Sequence, residues 1–209
     1  MKIVISAGPT RERIDAVRFL SNRSSGKMGF ALAGAAVEAG FDTVLVAGPV
    51  RLETPAGVRR IDVESAAEMA TAVKREAADA DIVIMAAAVA DYRPKQQLSG
   101  KMKKKDGDLT LELERTEDIL KSLGETKRPG QILIGFAAET ENLEQYALDK
   151  LKRKNLDWIA ANDVSRSDIG FGSDANAVTL YGRSGEKIAL PIASKAEIAA
   201  ALLKTCSAR

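Results

Sequence analysis

Gly8-Pro9-Thr10-Arg11-Glu12, running on to Ser24-Ser25-Gly26-Lys27-Met28-Gly29, is the stretch from which the fold can be read. The apolar run Ile3-Val4-Ile5 precedes it, and an Ala-rich amphipathic segment over residues 30–39 follows and stops at Gly40. This order predicts a strand, a long polar loop and a helix. Gly8-Pro9 ends the strand sharply, because glycine is permissive in φ and proline cannot donate to a ladder. Ser24 and Ser25 are the expected helix caps, while Gly26 and Gly29 let a ligand or a neighbouring backbone come close. Unpaired N–H groups at the helix start, with Lys27 beside them, favour an anion. On spacing alone, an ordinary strand-to-helix loop with a cap fits equally well.

Neither standard phosphate motif is present. A P-loop fails because Ser21 holds the glycine place and Met28 the Ser/Thr place. Of a dinucleotide fingerprint only the last Gly-x-x-Gly, Gly26 and Gly29, remains, and the loop is too long for that turn.

Outward from this stretch, strands and helices alternate. Residues 43–47 read as a buried strand, 58–63 as a shorter one, and 65–78 as an amphipathic helix with Ser65 and Glu68 as a capping box. Residues 82–85 form the next buried strand and lead into Ala86-Ala87-Ala88. Thr116 is the expected cap of a helix over 117–123, followed by a strand over 131–136, a helix over 143–154 and a strand over 158–161. A Gly/Ser/Asp-rich loop to Asn176, a hairpin of 177–181 with 187–190, and a helix over 195–205 complete the chain. The expected architecture is α/β: a Rossmann-like, mostly parallel sheet with helices on both faces, a flap and a C-terminal hairpin, in one domain over 1–209. Ligands of such sheets bind beyond the carboxyl ends of the strands, where Gly8, Ala87 and Phe136 are expected to share one edge.

Residues 91–108 break the rhythm with Pro94, Gly100, Gly107 and the cluster Lys101-Met102-Lys103-Lys104-Lys105, and read as a flap. By composition the lysines suit a solvated turn; following a strand-end loop, they also suit a lid over an anionic ligand. Residues 109–114 then alternate with period two, as a half-exposed strand does.

Composition narrows the chemistry. Of 209 residues none is histidine, which removes Ser-His-Asp and Cys-His nucleophiles and histidine metal sites. The work falls to Lys, Arg, Asp, Glu, Asn and the backbone, a set suited to stabilising phosphate charge. The single Cys206 excludes an intrachain disulfide, and a reducing cytoplasm fits. No run approaches a membrane span, no signal peptide is visible, and a net charge of +2 gives no global attraction to nucleic acid or membrane.

The quoted motifs, with Val17-Arg18-Phe19-Leu20-Ser21-Asn22, Ala86-Ala87-Ala88-Val89-Ala90-Asp91-Tyr92-Arg93, Gly135-Phe136-Ala137-Ala138-Glu139-Thr140, Lys154-Asn155 and Ala161-Asn162-Asp163-Val164, resemble phosphopantothenoylcysteine synthetase, in order and over nearly the whole chain. The resemblance implies a ligase of coenzyme A synthesis. The carboxylate of 4'-phosphopantothenate attacks the α-phosphate of CTP, giving an acyl-cytidylate and pyrophosphate. The amine of L-cysteine then displaces CMP, and Mg2+ accompanies the CTP. It further implies a homodimer with shared sites, and a flavin-dependent decarboxylase, fused or separate, as partner. A stand-alone enzyme and an excised domain read alike here.

By matching position the resemblance assigns Gly8, Ser24, Gly26 and Gly29 to the nucleotide phosphates. Ala86, Glu117, Asp118, Ile119, Leu120, Phe136, Lys150, Lys154 and Asn162 would help hold the nucleotide, and Ala87, Ala88 and Asp91 would lie beside the ligands. Asn22 would orient the acyl-cytidylate, Lys101 would close over the phosphates, and Arg18 would reach phosphopantothenate across the dimer; these three would carry catalysis. No metal ligand is assigned. Read from the residues alone, Arg18 is a surface charge or a partner of Asp15, worth little, and Lys150 and Lys154 complement a helix C-terminus. A carboxylate at Asp91 repels phosphate unless it meets a hydroxyl, an amide or the metal.

Two other readings compete. A nicotinamide- or flavin-binding reductase would suit the sheet, but the incomplete fingerprint and long first loop oppose it. A nucleic-acid binder using the lysine cluster lacks interleaved aromatics.

Overall fold

Lys2–Ala7 (β1) and Ile82–Met85 (β6) lie parallel at the middle of an eight-stranded sheet. Ile3, Val4, Ile5 and Ile82 to Met85 are all buried, so these runs carry no alternation; a strand covered on both faces needs none. The computed structural model describes residues 1–104, 107–139, 142–163 and 173–207. Lys105, Thr140, Val164 and most of the Gly/Ser/Asp-rich loop lie outside them.

Between β1 and β6 come Arg11–Arg13 (β2), Phe19–Ser21 (β3), Lys27–Glu38 (α1), Asp42–Ala47 (β4), Arg59–Asp62 (β5) and Ala66–Ala77 (α2). After β6 follow Tyr92–Pro94 (β7), Leu113–Arg115 (β8), Ile119–Thr126 (α3), Ile132–Glu139 (β9), Leu143–Arg153 (α4) and Trp158–Asp163 (β10). Ala175–Gly182 (β11), Lys187–Ser194 (β12) and Lys195–Ser207 (α5) close the order. Across the sheet the strands run β12-β11-β10-β9-β6-β1-β4-β5. The six parallel strands therefore have the doubly-wound order 3-2-1-4-5-6, and the order reverses between β1 and β6. β11 and β12 add an antiparallel hairpin at one edge.

Two apolar layers hold the sheet. Leu32, Ala33 and Ala36 of α1 and Ile198, Leu202 and Leu203 of α5 pack on one face against Ile3, Ile5 and Leu45. Met69 and Val73 of α2, Leu120 and Leu123 of α3, and Leu151 of α4 cover the other against Val4, Val44 and Val83. Each fully buried Leu or Ile contributes about 1.5–3 kcal/mol.

The expected α/β fold is present, with local corrections. α1 begins at Lys27 rather than Phe30, and its N-cap is Gly26 at φ 78°, so neither Ser24 nor Ser25 caps it; the Ser24 hydroxyl accepts from Gly26 N–H at 3.4 Å instead. The cap of α3 is Asp118, which accepts from Lys121 N–H, while the Thr116 hydroxyl donates to the Ala90 carbonyl. Of the expected strand over 109–114 only 113 and 114 are in a strand, β8, which runs on to Arg115 and pairs with β7 in a two-stranded ribbon that carries the flap. Ser65 does cap α2, accepting from Glu68 N–H at 3.2 Å, but the Glu68 carboxylate accepts from Glu64 N–H rather than from the cap residue itself.

Candidate active site

The long first loop is built from its own polar side chains. β2 and β3 pair as a hairpin inside it. Glu12 is buried and accepts from Ala66 N–H at 2.8 Å, tying the hairpin to the start of α2. Thr10 is fully buried: its hydroxyl accepts from Ala90 N–H at 3.0 Å, and its carbonyl accepts from the Ser21 hydroxyl at 2.8 Å.

These contacts bring the loops after β1 and β6 together at the point where strand order reverses. Gly8, at φ 78°, accepts from Ala88 N–H at 2.9 Å, and Pro9 bridges Ala88. Ala87 N–H donates to the Ser6 hydroxyl at 3.2 Å and Ala86 N–H to the Ser6 carbonyl. The Asn22 Nδ2 donates to the Ala88 carbonyl at 3.0 Å, leaving its second N–H and its oxygen for a ligand. Gly26 backs onto Gly8, since a Cβ on Gly26 would stand 3.3 Å from the Gly8 Cα. The N-terminus of α1 thus opens at the same crevice. Gly29 has a different role: a Cβ there would come 2.4 Å from the Cβ of Ala7, so this glycine seats the helix on the sheet.

The expected sharing of one edge by Gly8, Ala87 and Phe136 needs correcting at Phe136. β9 continues to Glu139, so Phe136 lies within its strand, one position past the Met85–Gly135 pair and level with Ala86. Asn162 pairs with Ala138 near the end of β10. The Lys150 Nζ donates to the Phe136 carbonyl at 2.8 Å, and the Lys154 Nζ reaches Asp118 at 3.0 Å, so neither merely complements the end of α4. Burial works to raise the Asp118 pKa, but the Lys121 N–H and the Lys154 ammonium outweigh it and hold the carboxyl below its ordinary value. Glu117 sits between Lys74 and the Ser122 hydroxyl, and Lys74, the larger influence, lowers its pKa. Ile119 and Leu120 are buried in the core beneath. Asp91 is exposed; its carbonyl accepts from Thr116 N–H at 3.0 Å.

Between Arg18 and the flap lies an open cleft of about 980 Å³, lined by Lys101, Lys103, Lys104 and Asp108 with Leu98 and Leu109, and by none of the crevice residues. Lys101 is exposed there. Arg18 pairs with Asp15, one of the two readings its sequence context allows, but the pair is not an exposed one, because the Asp15 side chain has 0% exposure. Asp15 accepts from the N–H groups of Val17 and Arg18 and from the Arg18 guanidinium. The guanidinium, first, and then Val17 N–H hold its pKa well below the usual carboxylate range, against the opposing effect of burial.

Sequence reasoning therefore gathered Gly8, Gly26, Ala86, Ala87, Ala88 and Asn22 at one crevice, missed the buried polar frame of Ser6, Thr10 and Glu12, and named Asp15 without its burial. The available signal was a run of short polar residues between a fully apolar strand and a helix. Among the described residues no three acidic or cysteine side chains gather as a metal cage, and no helix is long and apolar enough to cross a membrane.

The model of the DNA/pantothenate metabolism flavoprotein C-terminal domain matches residues 1–208. The coenzyme A biosynthesis bifunctional protein CoaBC of Bacillus subtilis (strain 168) is 54% identical over 207 residues, which are 99% of this chain and 51% of that protein. The chain thus spans about half the length of the curated relatives it matches. The crystal structure of the C-terminal domain of CoaBC is 48% identical, with a TM-score of 0.84 over 98% of this chain and 92% of that one. A Cab2 mutant solved in complex with phosphopantothenate-cysteine is 17% identical, with a TM-score of 0.79 over 98% of this chain and 85% of that one, and shares the fold.

Proposed function

Because the chain belongs to the DNA/pantothenate metabolism flavoprotein C-terminal domain family, we propose that it is a CTP-dependent phosphopantothenate–cysteine ligase. The observation that carries this reading is the Asn22–Ala88 hydrogen bond at the reversal of strand order, beside Gly8 and the α1 N-terminus. It joins an amide able to orient an acyl group to backbone donors suited to phosphate. The 48% identity to the C-terminal domain of CoaBC supports it.

In this reading the phosphopantothenate carboxylate oxygen bonds to the α-phosphorus of CTP as the bond to the β-phosphate bridge breaks and pyrophosphate leaves. The cysteine amine then bonds to the activated carbonyl, loses a proton, and CMP leaves. Gly8, Ser24, Gly26 and the first N–H groups of α1 line the phosphates. Lys101 from the flap, Lys150 from α4 and Lys154 just after it supply positive charge. Asn22 holds the acyl-cytidylate through the donor that Ala88 does not use, and Arg18 binds phosphopantothenate. Magnesium would accompany the triphosphate and neutralise part of its charge. Mass spectrometry after incubation with CTP, phosphopantothenate, cysteine and magnesium tests the reading: phosphopantothenoylcysteine and CMP are expected. Equal turnover with ATP at subsaturating levels would remove the CTP preference.

The chain is further proposed to act as a homodimer. Val17 and Phe19 are exposed on the β2–β3 hairpin and Leu98, Leu109 and Leu113 on the flap and its ribbon, an apolar set suited to a second copy. Mixing inactive Arg18→Ala and Asn22→Ala chains should restore about a quarter of wild-type activity if each site draws one of these residues from each subunit. Verified mixed dimers that stay inactive would end that part of the proposal. The fused relatives also support a flavin-dependent decarboxylase, in the same chain or another, as functional partner.

A further inference from the structure

Asp15 lies outside the crevice, yet it joins two parts of the candidate site that are 87 residues apart in sequence. Its Oδ1 accepts from Val17 N–H and Arg18 N–H, both at 2.8 Å. Its Oδ2 accepts from the Arg18 Nε at 2.9 Å, from the Arg18 Nη2, and from the flap, where Met102 N–H donates at 3.1 Å. The Arg18 Nη2 also donates to the Met102 carbonyl at 3.2 Å. A single flap residue is therefore held at both its N–H and its carbonyl by an ion pair whose carboxylate is wholly buried. A second tie lies beside it: Leu98 N–H donates to the Ile14 carbonyl at 3.1 Å.

We propose that Asp15 is a positioning residue, which clips the flap at Met102 and aims the Arg18 guanidinium, so that Lys101 and Arg18 face one cleft. The catalytic half of this proposal rests on the ligase reading above. The physical argument is geometric. Lys101 is the neighbour of the clipped residue, in a segment with almost nothing to bury, so without the clip its ammonium has no fixed address. Arg18, with 45% of its side chain exposed, keeps an open side toward the cleft while Asp15 fixes the other. Two guanidinium donors, Nε and Nη2, meeting one carboxylate oxygen orient the Arg18 plane in a way a single contact cannot. Three donors converge on Oδ2 and two on Oδ1, which is why an amide cannot replace this carboxylate: Asn would turn its NH2 either toward the Arg18 guanidinium and Met102 N–H together or toward the Val17 and Arg18 backbone N–H groups.

The test compares Asp15→Asn and Met102→Pro with wild type. Met102→Pro removes the flap's N–H, fixes φ at 102 and restricts Lys101 to extended backbone, while leaving the Asp15 carboxylate and the hairpin sequence unchanged. Limited trypsin digestion reads flap order at Lys103 and Lys104, since the bond after Lys101 resists trypsin in Met102→Pro, and pyrophosphate release reads the first chemical step. In both variants, flap cleavage is expected to accelerate at unchanged thermal midpoint for Met102→Pro. The kcat for pyrophosphate release is expected to fall by about 10- to 100-fold, as for a catalytic group displaced by about 1 Å, with KM for CTP little changed. A merely structural Asp15 would instead lower the thermal midpoint of Asp15→Asn and leave Met102→Pro wild-type in both cleavage and kcat; that result overturns the proposal. Should wild type itself release no pyrophosphate, the ligase reading and the catalytic half fall together. The digestion still decides the clip on its own, upheld by faster flap cleavage in Met102→Pro and rejected by equal rates.

Discussion

Asn22 and Ala88, 66 residues apart, meet through a hydrogen bond of 3.0 Å from the amide Nδ2 to the backbone carbonyl. That contact closes the long first loop onto the end of β6 and fixes the one uncharged side chain proposed to handle the acyl intermediate.

Replacing the amide therefore has a chemical consequence. Asn22→Asp places a carboxylate against the Ala88 carbonyl and removes the donor proposed for the acyl-cytidylate. Pyrophosphate release is expected to continue while conversion to phosphopantothenoylcysteine slows by about 10²-fold, the scale of losing one well-placed donor. Mass spectrometry of quenched samples should show acyl-cytidylate accumulating. An intermediate no more abundant than in wild type would take Asn22 out of the second step.

Gly48 tests the packing beneath the crevice. A Cβ there would stand 1.8 Å from the Pro9 carbonyl oxygen, which is backbone and cannot swing aside. Gly48→Ala is expected to destabilise by roughly 1–3 kcal/mol, as overpacking does, and more if the Gly8-Pro9 turn cannot shift. Gly185→Ala, at φ 99° but with open space around it, should show only the backbone strain. Denaturant midpoints measured for both variants check the difference.

Glu76 predicts an acid limit to stability. It is buried at the opposite edge of the sheet, with Arg59 foremost and then Arg75 and Lys2 donating to it, and its pKa falls to about 2 despite the opposing cost of burial. A carboxyl depressed in the folded state contributes stability above its unfolded pKa, about 4.3, and loses that contribution as pH drops toward 2. Thermal midpoints should therefore decline between those limits. Glu76→Gln should be less stable at pH 7, by about 1 kcal/mol because its partners Arg59 and Arg75 are more than half exposed, with a flatter acid slope. Parallel slopes for the two proteins would rule out Glu76 as the group responsible.

The parallel sheet was legible because Ile3-Val4-Ile5 and Ile82-Val83-Ile84-Met85 are apolar without alternation, which leaves them only a doubly covered place. Ser65 and Glu68 announced α2 for an equally local reason. Sequence misled where a backbone conformation replaced a side-chain signal: Gly26 in the left-handed region begins α1, and the adjacent serines only looked like caps. The β2–β3 hairpin was hidden because Arg11-Glu12-Arg13 is short and polar, with its one buried member a glutamate answered by Ala66 N–H far along the chain. Asp15 was hidden for the same reason. Spacing suggests a weak surface pair with Arg18, and only the folded flap reveals that its carboxylate is buried and shared with Met102. Crevice residues on strand ends were thus readable, whereas the polar frame depends on long-range partners that no local pattern encodes.

A burst experiment without cysteine tests most directly whether CTP activates the acyl group before cysteine arrives. Enzyme mixed with CTP, phosphopantothenate and magnesium should release about one equivalent of pyrophosphate per site and then stall, with steady turnover beginning when cysteine is added. No pyrophosphate before cysteine, with normal product afterwards, would contradict an acyl-cytidylate formed in a separate first step; no pyrophosphate under either condition would contradict the ligase assignment itself.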